Sequence, residues 1–203
     1  MSAQQTKAGR SRAARLLLVV FSCLGCAGAS PPPALAPKSD AGSELTRYLP
    51  LENDTVFSYE TYIEDTNERG LAVFEITRPR PELAELRIAG QVRKRYYFEP
   101  AGVRSAQGGY LLKSPLSLNS QWTGDDGVVT VAAVSESVQV PAGLFSRCLR
   151  TVEQAKLGAA TRRTTTVFCP GVGITVLEIE AEEGGTSVLQ RLTLKSFGRR
   201  FHL

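Results

Sequence analysis

The chain has 203 residues, 42% of them apolar and 22% charged. Those are ordinary values for a globular protein, and they exclude wholesale disorder, a collagen-like repeat and a polytopic membrane protein. Of 24 Lys and Arg, four (Lys7, Arg10, Arg12 and Arg15) precede residue 16, where no Asp or Glu stands; the remainder carries 20 basic against 20 acidic residues and offers no net basic field to nucleic acid.

The only histidine is His202 and the only methionine is Met1. Ser-His-Asp and Cys-His catalysis, and most zinc or copper sites, need an imidazole, and the last residues of a chain hold one poorly. The expectation is a non-enzymatic protein with no catalytic residues, no metal and no cofactor.

Residues 1–25 read as a signal peptide: a basic stretch, the apolar run Leu16-Leu17-Leu18-Val19-Val20-Phe21 continuing to Leu24, then small residues. Leu16 to Ala29 is 14 residues, short of the ~20 that a bilayer core requires. Two cleavage readings compete. Leu24-Gly25-Cys26-Ala27 resembles the lipobox of bacterial lipoproteins, in which the cysteine becomes the lipidated first residue, while Ala27-Gly28-Ala29 fits an ordinary signal-peptidase site and would give a soluble secreted protein. Cys26 is the preferred reading, although Cys23 stands where such a box usually has leucine. Cys23-Leu24-Gly25-Cys26 is formally C-x-x-C, but a hydrophobic leader is not the folded helix start such redox motifs use. Residues 26–43, with Pro31-Pro32-Pro33-Ala34-Leu35-Ala36-Pro37, read as a lipidated N-terminus and an extended tether.

Residues 44–198 are predicted to be one all-β domain, an antiparallel meander of hairpins making a curved sheet or open barrel, with 199–203 as a tail. Glu44 to Leu49 is predicted as one helical turn before Pro50. Period-2 alternation gives strands at Thr55 to Glu64, Leu71 to Arg78, Leu86 to Ile88, Arg93 to Phe98 and Tyr110 to Leu112. The series continues with Val128 to Val140, bent near Ser135, then Phe145 to Lys156, Thr161 to Cys169, Ile174 to Glu182 and Thr186 to Phe197. A two-residue turn at Gly184-Gly185 pairs Leu177 with Leu192, Ala181 with Val188 and Glu178 with Arg191; a one-residue slip would set Leu192 against Glu178. A turn at Gly158-Ala159, glycine first as type II′ prefers, pairs Leu149 with Phe168, Thr151 with Thr166 and Cys148 with Cys169. It predicts a disulfide across a non-hydrogen-bonded pair with Cα atoms about 4.5 Å apart. Two buried free thiols are the alternative; a zinc pair would lack further ligands.

Tyr48-Leu49-Pro50-Leu51, Val56-Phe57-Ser58-Tyr59, Val140-Pro141-Ala142-Gly143-Leu144-Phe145 and Pro170-Gly171-Val172-Gly173 fall in an order that resembles a family of exported bacterial lipoproteins of unknown function. That family has an N-terminal Y-x-P-L with a later aromatic strand, a V-P-A-G-x-F turn and a P-G-V-G turn. Asn53-Asp54-Thr55 and Phe57 stand where it often has Gly and Trp. The resemblance implies a curved antiparallel sheet anchored at an envelope membrane and brings no catalytic residues with it. Taken as residues, the motifs are turn chemistry: Pro141 ends a strand, Gly143 permits a positive φ, and Pro170 to Gly173 reverses the chain.

The other chemistry-bearing runs have structural readings. Arg93-Lys94-Arg95-Tyr96-Tyr97-Phe98 interleaves bases with aromatics as a nucleic-acid strand would, but alternation places Lys94, Tyr96 and Phe98 on one face and Arg93, Arg95 and Tyr97 on the other, as at a sheet rim. Asp125-Asp126-Gly127 is a turn rather than a calcium loop, which needs more oxygen ligands. Glu178, Glu180 and Glu182 alternate with Leu177, Ile179 and Ala181 as a solvated strand face. Asn53-Asp54-Thr55 matches a glycosylation sequon of little meaning in a bacterial protein. A hydrolase built on a carboxylate dyad would have to use Asp125 and Asp126 with Glu136 or Glu64. The functional expectation is a lipid-anchored lipoprotein on the periplasmic side of the bacterial cell envelope, otherwise secreted. It would bind or scaffold, meeting the membrane through its lipid and an apolar ligand or envelope protein through its sheet, with no nucleic acid.

Overall fold

The computed structural model describes residues 41–200. The readings of the leader, Cys26, Ala29, residues 26–40 of the tether and His202 fall outside the described residues; residues 41–43, expected as the end of the tether, are helical. The elements are α1 (Ala41–Tyr48), β1 (Thr55–Ile63), β2 (Glu68–Arg80), β3 (Leu83–Ile88), β4 (Gln91–Glu99), β5 (Gly102–Ser105), β6 (Tyr110–Lys113), β7 (Gln121–Thr123), β8 (Val128–Val140), β9 (Gly143–Leu157), β10 (Ala160–Cys169), β11 (Gly173–Glu183) and β12 (Thr186–Arg199). All twelve strands form one antiparallel sheet in the order β6-β5-β4-β3-β2-β1-β12-β11-β10-β9-β8-β7. Each strand therefore pairs with its chain neighbours, except that β1 also pairs with β12 and that β6 and β7, the two edges, do not pair. The sheet rolls into a nearly closed barrel with one seam, between β6 and β7.

Both testable hairpins have the expected register. Leu177 faces Leu192, Ala181 faces Val188, and the Glu178 carboxylate accepts from Arg191 Nε at 2.7 Å. Gly184 and Gly185 both take positive φ, 58° and 82°, as a type I′ turn requires. At the other hairpin only Gly158 is positive, the type II′ pattern, and Leu149 and Thr151 face Phe168 and Thr166. Cys148 and Cys169 are joined, with Cα atoms 4.2 Å apart and neither residue exposed. The predicted bend in β8 is present: Ser135 has φ 59° and the ladder to β9 shifts on both sides of it.

Two strands were not predicted, β5 and β7. They have four and three residues, too few for a period to show, and Gly102 opens the first. The helix is longer than the single turn expected, beginning at Ala41 rather than Glu44. It ends at Tyr48, one residue before the expected Leu49, because Pro50 has no N–H and disfavours helical geometry in the residue before it. Glu44 in its first turn and Arg47 in its last suit the helix dipole.

Leu45 and Leu49 are almost wholly buried, so α1 and the segment after it cap one end of the barrel. Two of the motifs that carried the family resemblance, Tyr48–Leu51 and Pro170–Gly173, meet there, and the third joins β12. Tyr48 donates its hydroxyl to the Arg147 carbonyl of β9 at 3.0 Å, Gly171 N–H donates to the Arg47 carbonyl at 2.7 Å, and Ala142 N–H donates to the Leu194 carbonyl at 3.0 Å. Gly143 and Gly171, at φ 136° and 74°, make the reversals that bring those segments together. The core above the cap is built from Ile76, Val103, Leu112, Val131, Leu149, Phe168 and Leu194.

The seam is closed by side chains instead of a ladder. Trp122 of β7 donates its indole N–H to the Tyr110 carbonyl of β6 at 2.9 Å. Asp125, just past β7, accepts from the Gly109 N–H at 3.1 Å and from the Ser105 hydroxyl. Gly109 lies so close to the Gly124–Asp125 backbone that it has no room for a Cβ. Among the described residues no buried side-chain polar atom lacks a partner.

Candidate functional site

The barrel is not packed solid. Above the floor formed by Leu49 and Leu51, a chamber of about 220 Å³ is walled by Phe57, Phe74, Ile76, Leu86, Leu177 and Leu192. Strand alternation creates it: Phe57 and Phe74 face each other across β1 and β2, Ile76 faces Leu86 across β2 and β3, and Leu177 faces Leu192 across β11 and β12. A second chamber of about 230 Å³ shares Lys94, Tyr96, Leu111, Ile174 and Leu177 with the first but is lined by Asp125, Asp126, Glu153, Arg162, Thr164 and Thr166 on its far side. The interior thus runs from an apolar half to a polar half.

Two phenols stand in the apolar wall. Tyr59 donates to the Ile174 carbonyl at 2.8 Å, and burial pushes its pKa well above the ordinary phenol value. Tyr96 is raised as well, first by burial and then by the negative charge of Asp125. Both stay neutral throughout the physiological range and serve as polar edges on an otherwise apolar wall.

The polar half is occupied by its own internal bonds. Glu153 Oε1 accepts from the backbone N–H groups of Asp126 and Gly127, at 2.9 and 3.0 Å, fixing the Gly124–Gly127 turn. Asp126 pairs with Arg162, and Asp125 closes the seam. The expected turn at Asp125-Asp126-Gly127 is therefore present. Neither Glu136 nor Glu64 lines this chamber: Glu136 is held by Arg150 at 3.1 Å, and Glu64 belongs to the β1–β2 turn, where its N–H donates to the Leu189 carbonyl. Among the described residues no cluster of three or more His, Cys, Asp or Glu is disposed to hold a metal ion.

The basic and aromatic run on β4 divides between the two faces. Arg95 points outward to Glu85 at 3.0 Å, Tyr97 lies under Arg104, and Phe98 lies under Arg78 with the guanidinium 4.2 Å from the ring centre. Lys94 and Tyr96 line the chambers as alternation requires. Arg93 departs from it. The β3–β4 ladder shifts between Leu86 and Arg87, so that Leu86 faces Lys94 but Arg87 faces Val92; Arg93 is left unpaired and joins Lys94 at the lip.

Outside the barrel, Glu85 is enclosed by two arginines, Arg95 and then Arg87, each at 3.0 Å, which together hold its carboxyl below the usual range. A carboxylate with a folded pKa below its unfolded value stabilises the fold above the unfolded pKa and loses that contribution as pH falls through the folded one. Glu85→Gln should thus be less stable than the parent at pH 7, with the difference shrinking below about pH 4. Urea midpoints measured from pH 7 to pH 3 test this, and a gap that does not change with pH would refute it. Glu99 is lowered in the same sense by Arg104 and by the Tyr110 hydroxyl.

Sequence reasoning singled out Lys94, Tyr96, Asp125 and Asp126 but not Glu153, Arg162, Tyr59 or the threonines. The Gly158-Ala159 register sets Glu153 opposite Thr164 and Thr151 opposite Thr166, a polar row on one face. That row is the signal that could have found the second chamber.

No family model and no curated protein matches the chain. Among solved structures it is similar to a candidate lipoprotein of Parabacteroides distasonis, at 11% identity and a TM-score of 0.46, over 75% of this chain and 98% of that one. It is likewise similar to a candidate exported protein with a YmcC-like fold from Bacteroides fragilis, at 10% identity and a TM-score of 0.45, over 75% and 99% of the two chains.

Proposed function

We propose that the chain is an exported lipoprotein of the bacterial cell envelope, held on the periplasmic side of its membrane by lipid on Cys26, whose barrel binds an apolar ligand without transforming it. One observation carries the binding role: the interior holds a chamber of about 220 Å³ with a wall of aromatic and aliphatic side chains. An apolar cavity of ~150 Å³ already accommodates benzene, so this one has room for a longer apolar group. The non-catalytic reading is supported by the engagement of Asp125, Asp126 and Glu153, each of which holds a turn, an ion pair or the seam. The anchor rests on Leu24-Gly25-Cys26 after a short apolar run.

Two experiments test the proposal. Cys26→Ala should move the protein from the membrane fraction to the soluble one; an intact mass placing an unmodified Ser30 first would refute the anchor. A single diacylglycerol supplies two acyl chains, enough for stable anchoring. For the chamber, the neutral dye N-phenyl-1-naphthylamine should bind saturably to the purified domain. Leu177→Trp, which fills the space between the two chambers, should weaken that binding about tenfold or more while the circular dichroism spectrum is retained. Absence of saturable binding to the parent protein would refute a ligand chamber.

A further inference from the structure

We infer that the ligand is a single-chain amphiphile with an anionic head, its chain in the apolar chamber and its head on Lys94. The inference rests on the binding role proposed above and adds the chemistry of the head. It begins from hydrogen-bonding capacity at the chamber lip. The two chambers are lined by three carboxylates, Asp125, Asp126 and Glu153, and by three cations, Arg93, Lys94 and Arg162. Every carboxylate has protein donors: Asp125 from Ser105 and Gly109, Asp126 from Arg162, Glu153 from two backbone N–H groups. Arg162 is engaged by Asp126 in turn.

Lys94 differs. It makes no ion pair or side-chain hydrogen bond among the described residues, and it borders both chambers and the groove outside them. Its place is fixed by the ladder, directly opposite Leu86 in the apolar wall. Its ammonium therefore has three donors to offer where apolar wall gives way to solvent. Arg93 stands at the same lip because of the β4 bulge, which doubles the positive charge there. A ligand with a cationic head would meet Arg93 and Lys94 at this lip with no carboxylate lining the apolar chamber, whereas a carboxylate or a sulfate would meet donors already in place.

The test compares three probes of one chain length by calorimetry below their micelle concentrations: dodecanoate, dodecanol and dodecyltrimethylammonium. Dodecanoate should bind the parent protein about two- to fivefold more tightly than dodecanol, the range expected of a partly exposed charge pair, and the cation should bind most weakly. Lys94→Gln should cut the preference for dodecanoate by weakening it more than dodecanol, and adding Arg93→Gln should remove what is left. Lys156→Gln, the same charge change on an exposed residue remote from the lip, should do neither. Equal affinity for dodecanoate and dodecanol, or a preference that Lys94→Gln does not reduce, would overturn the inference while leaving the chamber intact. Binding of none of the three would overturn the binding role as well.

Discussion

Gly109→Ala is expected to destabilise the domain by about 3 kcal/mol or more and to lower its melting temperature by roughly 10 °C. The reason is steric and local. A Cβ at Gly109 would overlap the carbonyl of Gly124 and the amide nitrogen of Asp125, all backbone, so no rotamer change relieves it. The seam would have to part, and the Asp125 carboxylate would lose the Gly109 N–H that it holds at 3.1 Å. The neighbouring glycine supplies the control. Gly108 has φ 104° and open space around it, so Gly108→Ala should show only the cost of an unfavourable backbone angle, about 1 kcal/mol. Thermal melts of the two variants decide the matter, and a Gly109→Ala protein as stable as its parent would mean that the strand ends do not meet there. Amide exchange of Gly109 should rise together with that of β6 and β7.

The second large effect is expected at the disulfide. Replacing both Cys148 and Cys169 with alanine should cost about 3 kcal/mol in the chain-entropy model, because the bond closes a loop between residues 21 apart. At this domain size that is a fall of roughly 6 to 12 °C in melting temperature. The bond lies entirely inside, beside Thr175, whose hydroxyl donates to the Val167 carbonyl at 3.2 Å and sits 3.3 Å from Cys169 Sγ. Reduction under native conditions should therefore be slow and should speed up once denaturant opens the hairpin. A melting temperature unchanged by the double substitution would remove the bond from the account of stability.

Much of the fold could be read from residues that act over short distances. Gly158-Ala159 and Gly184-Gly185 set their hairpins because glycine alone takes the required φ cheaply, and alternation of Leu177, Ile179 and Ala181 with glutamates then excludes a slip. That logic placed Cys148 against Cys169. It failed for β5 and β7, where three or four residues carry no period, and for the start of α1, where Gly42 and Ser43 read as tether. The site was less legible than the fold. The row of Glu153, Thr164 and Thr166 is visible as a polar face, and only closure of the sheet turns that face into a chamber wall. Closure depends on the pairing of β1 with β12, which no local pattern announces. Arg93 shows the same limit, since a single bulge moved it to the lip it was expected to face away from.

The β1–β12 pairing also shapes how the domain comes together. Lys195 and Glu60, which bond across it at 2.8 Å, are 135 residues apart in the chain, whereas every other ladder joins consecutive strands. Strands β1–β6 and β7–β12 are thus two low-contact-order halves, each able to zip from its own turns, and the ladder between them is the late, high-entropy event. Until it forms, each half presents one long edge strand, β1 or β12, as an open template. The last strand to be made is also the one that quenches both edges, so the chain remains vulnerable to wrong partners until its twelfth strand arrives.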